Sequence, residues 1–462
     1  MKRIIYTVLA AGFLCVNAGC RKYVEIEPIN LRVLEMTSDY EQLLYNSTMM
    51  DNSYGKPVYS GDDIASDNAT WQNNQNLTTA NIYVWADRIY TNTEEDPDWA
   101  NNYKQIYQCN LINAEVMSSK GGTQAQKEAV LAAALVHRAN AYFTLVNLYG
   151  KQYDATTSVS DLGVPLVTAT NFTASLKRAT VKEVYDFVLA DLHKAIPALP
   201  ATPDFISNPS KAAAYALLSR VYLNMRNFSE AERFADLALS LKSTLIDLNN
   251  HIAVPPALPT MPLKMLNPEE IFFKKVPSMG IDMPLSADAV NMFTATPEAA
   301  KDLRYVNFTV SGSTLWGSPF TTPAYRRMSL TNDGLYTGPS VPEMMLIKAE
   351  CEARAGNASA AVDILNTLRQ KRFKPTEYFG LAAATPEEAL KLTIAERKRE
   401  FMGRGFRWFD QRRLAKDAGF VTTVTRVFKN VTYTLAPGSN RYTFAIGDKY
   451  IESNPEIIQN PR

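Results

Sequence analysis

The sequence predicts a mostly all-α protein: tetratricopeptide-like helix pairs, a loop-rich insertion between two of them, and a small C-terminal β-hairpin. Two observations carry this. The segment YALLSRVYLNMRNFSEAERFADLAL (215–239) returns 130 residues later as MLIKAECEARAGNASAAVDILNTLR (345–369), each copy reading as helix, tight turn, helix. Between the copies, residues 245–338 are rich in Pro, Met and Thr and hold no sustained period, which reads as loop.

The elements follow in order. After an extended start, 38–47 reads as a first helix. Residues 52–98, rich in Asn, Asp, Thr and Tyr, have no helical period and read as a long loop region, a class of segment that is usually functional. Trp99 to Met117 returns to helical spacing, and Gln126 to Leu148 is a long Ala-rich helix. Val181 to Leu199 is another, with Thr180 as its N-cap. RANAYFTLVNLYG (138–150) carries the first-helix pattern of the repeat, with Ala139 and Tyr142 in place. Within the repeat, Ser219 and Ala231, matched by Ala349 and Ala361, are small where two helices must approach closely. Tyr222 holds the usual aromatic position and Glu352 replaces it in the second copy. Helices at 385–402 and 408–416 make a further pair, and after 417 strand-like alternation around Pro437-Gly438 predicts the hairpin. The expected organisation is a leader at 1–19 and one domain at 20–462. Its helical body covers about 100–244 and 339–416, and its loop-rich binding parts about 52–98 and 245–338.

The leader has Lys2 and Arg3 before Ile4 to Val16, thirteen nearly unbroken apolar residues. A membrane-spanning helix needs roughly twenty, so this stretch suits a secretory signal instead. Ala18-Gly19 then precede Cys20, the arrangement of a bacterial lipoprotein whose new N-terminal cysteine is acylated, although Asn17 stands where Leu is preferred. Ordinary cleavage leaving a free Cys20 is the alternative. With 48 basic and 47 acidic residues the net charge is +1, which argues against nucleic acid as a partner. Cys109 and Cys351 lie in helical patterns among small apolar residues and read as buried thiols.

Glu396, Glu400 and Asp410 invite comparison with glycosidase carboxylates. They are interleaved with Arg397, Arg399, Arg407, Arg412 and Arg413, however, and partners of that sign keep carboxylates ionised. A structural ion-pair network is the expectation. His137, His193 and His251 show no metal-ligand spacing, and no HExxH, GxSxG, phosphate-binding or dinucleotide motif occurs. GDDIASDNATW (61–71) offers oxygen ligands for calcium but lacks the spacing and closing Glu of an EF-hand, so no metal or cofactor is assigned. Trp71, Tyr83, Trp85, Tyr90 and Trp316 lie in loop regions with Asp67 and Asn68 nearby. Aromatic plates edged by Asn and Asp suit a sugar, which presents one apolar face within a rim of hydroxyls. Trp99 and Trp408, inside helices, are expected in the core.

Taken in order, CRKYVEIEP, IYQCNLINAEV, RANAYFTLVNLYG, GVPLV, RATVKEVYDFVLADLHKAI, SKAAAYALLSRVYLNMRNFSEAERFADLAL, LIKAECEARAGN, AERKREFMGRGFRWFDQRR and ESNPEIIQNP resemble the SusD/RagB nutrient-binding lipoproteins of the Bacteroidetes outer membrane, over nearly the full length. The resemblance implies a receptor tethered through Cys20 to the cell surface. Its partner would be a SusC-like TonB-dependent transporter, and its ligand an oligosaccharide or, in some members, a peptide. It also implies an aromatic arc in which Trp85 and Trp316 are the chief plates, with Trp71, Tyr83, Asn68 and Asp67 around them. Arg404 departs from the family's usual Glu, and Pro342 interrupts the start of the helix at 343. A peptide receptor of the same family and a repeat scaffold without small-molecule binding remain the alternatives.

Overall fold

A computed structural model describes residues 34–170, 175–252, 259–277, 283–317, 320, 322–326 and 334–462. The leader and Cys20 lie outside the described residues. The first helices are short: α1 (Thr37–Leu44), α2 (Ser47–Met50), α3 (Lys56–Ser60), α4 (Ala69–Asn73) and α5 (Leu77–Tyr83). The last three fall where the sequence predicts only loop, and the reason is local. Asn68 and Asn76 each accept a hydrogen bond from the backbone amide three residues on, capping helices too short to display a period.

The long helices follow the sequence closely. They are α6 (Pro97–Glu115) and α7 (Gln124–Tyr149), the latter opened by a capping box between Thr123 and Gln126. Helix α7 is long and apolar enough to cross a bilayer, yet 83% of its apolar window is buried inside the protein, as befits the central core helix. Strands β1 (Leu162–Pro165) and β2 (Arg178–Thr180) pair antiparallel and lead into α8 (Val181–Ala195), which Thr180 caps as expected, with Glu183 reciprocating. The first repeat copy is α9 (Lys211–Asn224) and α10 (Phe228–Leu241).

The insertion is not all loop. It contains β3 (Met283–Pro284), α11 (Ala287–Thr294), α12 (Leu303–Phe308), β4 (Thr309–Ser311), α13 (Gly312–Trp316) and β5 (Pro323–Tyr325), the strands forming an antiparallel sheet ordered β3-β5-β4. It has its own core around Phe293, Leu303, Phe308 and Tyr325, into which the body sends Val58, Ile64 and Met402. The second copy is α14 (Val341–Arg354) and α15 (Ala358–Arg369), followed by α16 (Pro386–Glu400) and α17 (Phe406–Leu414). Pro342 does not interrupt α14. It occupies the first turn, where a missing N–H costs nothing. The chain ends with β6 (Val424–Phe428), β7 (Val431–Leu435) and α18 (Asp448–Ser453). The hairpin turn is Lys429-Asn430, not Pro437-Gly438: both residues have positive φ, 48° and 65°, the twist a two-residue hairpin loop requires.

The two repeat copies are direct neighbours, because α10 packs against α14 and Lys348 Nζ meets Asp236 at 2.7 Å. Within the first copy the expected close approach is present. Ser219 and Ala231 are wholly buried, and Ser219 Oγ donates to the Ala231 carbonyl at 2.8 Å. The second copy turns at Gly356, whose φ of 97° a side chain would strain. Trp408 is fully buried against Tyr442 and Phe444, and Trp99 is buried against Tyr103, Tyr149 and Tyr450. Cys109 and Cys351 are free, buried thiols, and burial pushes Cys109 up to about 12.

The acidic and basic residues of α16 and α17 form the predicted ion-pair network except Arg412, which donates to the Gly150 carbonyl at 2.6 Å instead. Glu396 meets Arg304 at 2.6 Å, Arg369 at 3.0 Å and Arg399 at 3.3 Å, while Glu400 meets Arg304 and Arg372, both at 2.8 Å. Asp410 lies between Arg397 (2.9 Å) and Arg413 (2.8 Å), and Arg413 also grips Glu350 with both ends of its guanidinium. Burial alone would raise the Glu396 carboxyl, but its three guanidinium partners outweigh that and hold it at about 2. Such a group stays ionised, the opposite of what a general acid needs.

Ala231→Leu is expected to overpack the α9–α10 contact and destabilise by about 1–3 kcal/mol, read as a lower urea midpoint; an unchanged midpoint would count against the packing described. The network sets the acid response. Glu396 has an ordinary value of 4.5 and a folded value of about 2, so as pH falls the unfolded chain takes up the proton first. Its contribution is complete above 4.5 and disappears as pH falls through about 2. Urea midpoints should therefore be lower at about pH 3 than at about pH 6.

Candidate functional site

Three distant segments converge on one aromatic cluster: Trp71, Tyr83 and Phe428, with Phe320, Val84 and the partly buried Trp316 and Tyr433. Helix α4 supplies Trp71 and α5 supplies Tyr83. The rings meet edge-on at 5.2 Å, and Tyr83 lies 5.7 Å from Phe428. Strand alternation on β6 turns Arg426 and Phe428 inward together while Val427 faces out. The insertion contributes Trp316, at the end of α13, resting on Phe320 with ring centroids 4.3 Å apart.

Two side chains clamp these pieces. Gln72 donates through Nε2 to the carbonyls of Ser66 and Val427, both at 2.9 Å, and its Oε1 accepts from the Lys429 amide at 2.7 Å. That ties α4 to the hairpin tip. Arg426 lies over the rings of Tyr83 (4.1 Å) and Trp85 (4.5 Å) and donates to the carbonyls of Tyr59 (2.9 Å), Gly61 (2.5 Å), Ile64 (2.8 Å) and Tyr83. Its buried charge is answered by carbonyl dipoles and π-faces rather than by a carboxylate.

The expected site residues separate accordingly. Trp71, Tyr83 and Trp316 come together. Trp85 does not offer a plate: it is 2% exposed, its indole N–H donates to the Ser60 carbonyl at 3.0 Å, and the Arg426 guanidinium covers its ring. Its φ of 56° is unusual for a bulky residue and persists because those contacts over-determine it. Trp71 (6%) and Tyr83 (1%) are likewise buried, so their place is behind the surface, as backing for what lies in front. Tyr90 is buried too, beneath the Lys56 ammonium at 5.4 Å. Trp316 is the half-buried member, and Asp67 is exposed. Asn68 is occupied as the α4 cap, accepting from the Trp71 amide at 3.0 Å.

The oxygen-rich stretch 61–71 does not converge on a point. Asp62 turns inward to Arg407 (2.8 Å), and Asp63 is buried and accepts from the Gly403 amide at 2.8 Å, burial and the neighbouring Asp62 pushing it up to about 6. Asp67 is exposed, whereas Asp62 is half-buried and Asp63 buried. Among the described residues no three His, Cys, Asp or Glu side chains gather as a metal site. His137 is buried, its Nδ1 accepting from Lys274 Nζ at 2.9 Å. Gln72, Phe320, Arg426, Phe428 and Tyr433 are site residues that sequence reasoning missed. The one signal for them was the alternation of the C-terminal hairpin, which places an arginine on its apolar face.

Comparison with known proteins matches the structure on this architecture. The family profile for starch-binding proteins associating with the outer membrane matches residues 25–223, and the SusD family profile matches 341–462. No curated protein matches the chain. Among solved structures, a putative sugar-binding protein from Bacteroides vulgatus is 20% identical, with 93% of this chain and 99% of that one covered and a TM-score of 0.71. A SusD superfamily protein from Bacteroides thetaiotaomicron is 20% identical (92% and 100% covered, TM-score 0.69), and a laminarin-binding SusD-like protein is 16% identical (92% and 99% covered, TM-score 0.63). With two profiles of one family at its two ends, and the helix-pair body with its insertion shared along the length between, the chain belongs to the SusD/RagB family.

Proposed function

We propose that this protein binds glycan at the cell surface and passes it to a SusC-like TonB-dependent transporter of the outer membrane. The observation that carries the reading is Trp316: a half-buried indole propped on Phe320, beside a cluster in which Trp71, Tyr83, Phe320 and Phe428 are buried. A sugar needs an apolar plate with polar groups at its edge, and a plate fixed from behind loses little freedom on binding. Asp67, in the segment that delivers Trp71, is exposed and free to take a polar edge. Family membership and the laminarin-binding relative support glycan over peptide. The anchor reading rests on Ala18-Gly19-Cys20 behind the apolar leader. The mechanism is capture without bond-making. Trp316 stacks on the sugar face, the Gln72 and Arg426 clamps keep its backing rigid, and the acidic residues of α16 and α17 remain committed to their arginines.

Trp316→Ala is expected to weaken retention on a laminarin affinity gel by more than about tenfold with an unchanged circular dichroism spectrum. Retention equal to wild type on laminarin, while a peptide panel binds, would overturn the glycan reading. Trp85→Ala should behave differently, destabilising the fold by about 3–5 kcal/mol as a buried aromatic truncation does, which a melting curve reads. Cys20→Ala is expected to move the folded protein from the outer-membrane fraction to the soluble one; retention in the membrane of cells lacking the transporter would rule out the lipid anchor.

A further inference from the structure

Helix α1, the first turns of α7 and the segment joining α8 to α9 enclose a cleft of about 440 Å³ that shares no residue with the aromatic cluster. That volume lies within the range of small-molecule sites, about 300–1,000 Å³. The apolar part of the lining includes Leu44, Val130, Ala133, Pro203 and Pro209. One wall is preformed by the sequence. Pro200, Pro203 and Pro209 each fix φ, the Pro200 carbonyl accepts from the Lys211 amide at 2.8 Å, and Ile206 is buried beside Phe273.

The polar part of the lining is of two kinds. Glu41, half-buried, and Asp204, exposed, have no cationic partner among the described residues. Lys120, the one basic residue of the lining, is tied to Glu35 at 2.7 Å, so two negative charges go unanswered. Tyr45, at the end of α1, is 54% exposed and donates its hydroxyl to Glu41 Oε1 at 2.7 Å. Burial and that hydrogen bond push the phenol up to about 12, and Asp204 adds to the effect, so both carboxylates bear on this ring. The second kind is uncharged. The Ser38 hydroxyl, the Gln126 Nε2 and the Asn208 side-chain amide line the cleft without a hydrogen-bond partner among the described residues.

An accessible ring beside unanswered carboxylates attracts a cation. Hydroxyl and amide groups around it suit a ligand that donates and accepts at several points, as sugar hydroxyls do. A simple alkylammonium uses only the first feature, and a neutral sugar only the second. An amino sugar uses both, because its ammonium stands among hydroxyls on a ring with an apolar face. We propose that this cleft binds a protonated amino sugar, its ring against Tyr45, its charge answering Glu41 and Asp204, and its hydroxyls on Ser38, Gln126 and Asn208. The site stands whether or not Trp316 holds neutral glycan.

Three β-1,4-linked disaccharides that differ only at C2 test this: the glucosamine dimer, its N-acetylated form and cellobiose. They are titrated calorimetrically at about pH 6, where a sugar amine is protonated. Wild type and Trp316→Ala are both used, so that binding at the aromatic cluster is told apart from binding here. The glucosamine dimer should bind both proteins equally and weaken as salt rises. In Trp316→Ala the other two disaccharides, and 1,4-diaminobutane with two ammonium groups and no hydroxyls, should bind at least about tenfold more weakly. Glu41→Gln and Asp204→Asn should each weaken the dimer by about fivefold, the scale of an exposed ion pair, and Tyr45→Ala by about tenfold, all with unchanged circular dichroism spectra. The assignment is overturned if the dimer does not bind, if its binding is lost in Trp316→Ala, or if cellobiose or the N-acetylated form matches it there. Diaminobutane matching the dimer would reduce the cleft to a simple cation site and overturn it equally, as would wild-type binding by Tyr45→Ala or by both carboxylate variants.

Discussion

Placing arginines inside a protein obliges something to face them, and this fold is organised around meeting that demand. Helix α16 sends Glu396 and Glu400 one way and Arg397 the other, and α17 continues with Asp410 and Arg413. Through these residues α14, α15 and the insertion are joined to a single lattice of alternating charge. Such a lattice is not what drives folding, because desolvation of both partners consumes most of the attraction. Its importance lies in the asymmetry of failure. Removing one partner leaves a buried charge uncompensated, at a cost of about 3–5 kcal/mol, so only one arrangement of these helices is tolerable. Apolar burial collapses the chain, and the lattice selects among the collapsed forms.

Arg304 shows how this reaches the insertion. It lies in the insertion, wholly buried, yet its guanidinium contacts Glu396 and Glu400 on α16 as well as its own Asp302. Arg372 closes the loop by joining Glu400 to Glu269. The segment that carries Trp316 is thereby held against the helical body by ionic contacts at its base, while Phe320 and the hairpin fix its outer end.

What could be read from the sequence tracks the length over which a pattern repeats. Helices α6 to α10 and α14 to α16 were legible because several turns of a 3.6-residue period accumulate, and Thr180 declared its capping role by standing at the start of one such period. Helices α4 and α5 span too few turns for a period and are specified by Asn caps that also occur in loops. The hairpin turn was misplaced because Pro437-Gly438 is the more conspicuous signal, whereas positive φ at Lys429 follows from strand pairing rather than from residue type. Trp85 was misread for a related reason. Its burial depends on Arg426, far away in sequence, and no local feature of residues 52–98 announces that a guanidinium will cover the ring. The meeting of Trp71, Tyr83 and Trp316 was implied only by the family resemblance and by no local pattern, since it is a tertiary event among three segments.

The insertion leaves and re-enters the helical stack at one place. Lys242, just past α10, donates to the Glu270 carbonyl at 2.5 Å, Glu270 pairs with Ser340, and α14 resumes against α10 as though nothing intervened. The entropy of closing a loop rises only logarithmically with its length, by about 0.6 kcal/mol per doubling. Residues added to or removed from the interior of this excursion therefore leave the stack almost untouched, provided the ionic base survives. The excursion is thereby mechanically separable from the stack: its interior length is set by its own small core, not by the helices it departs from.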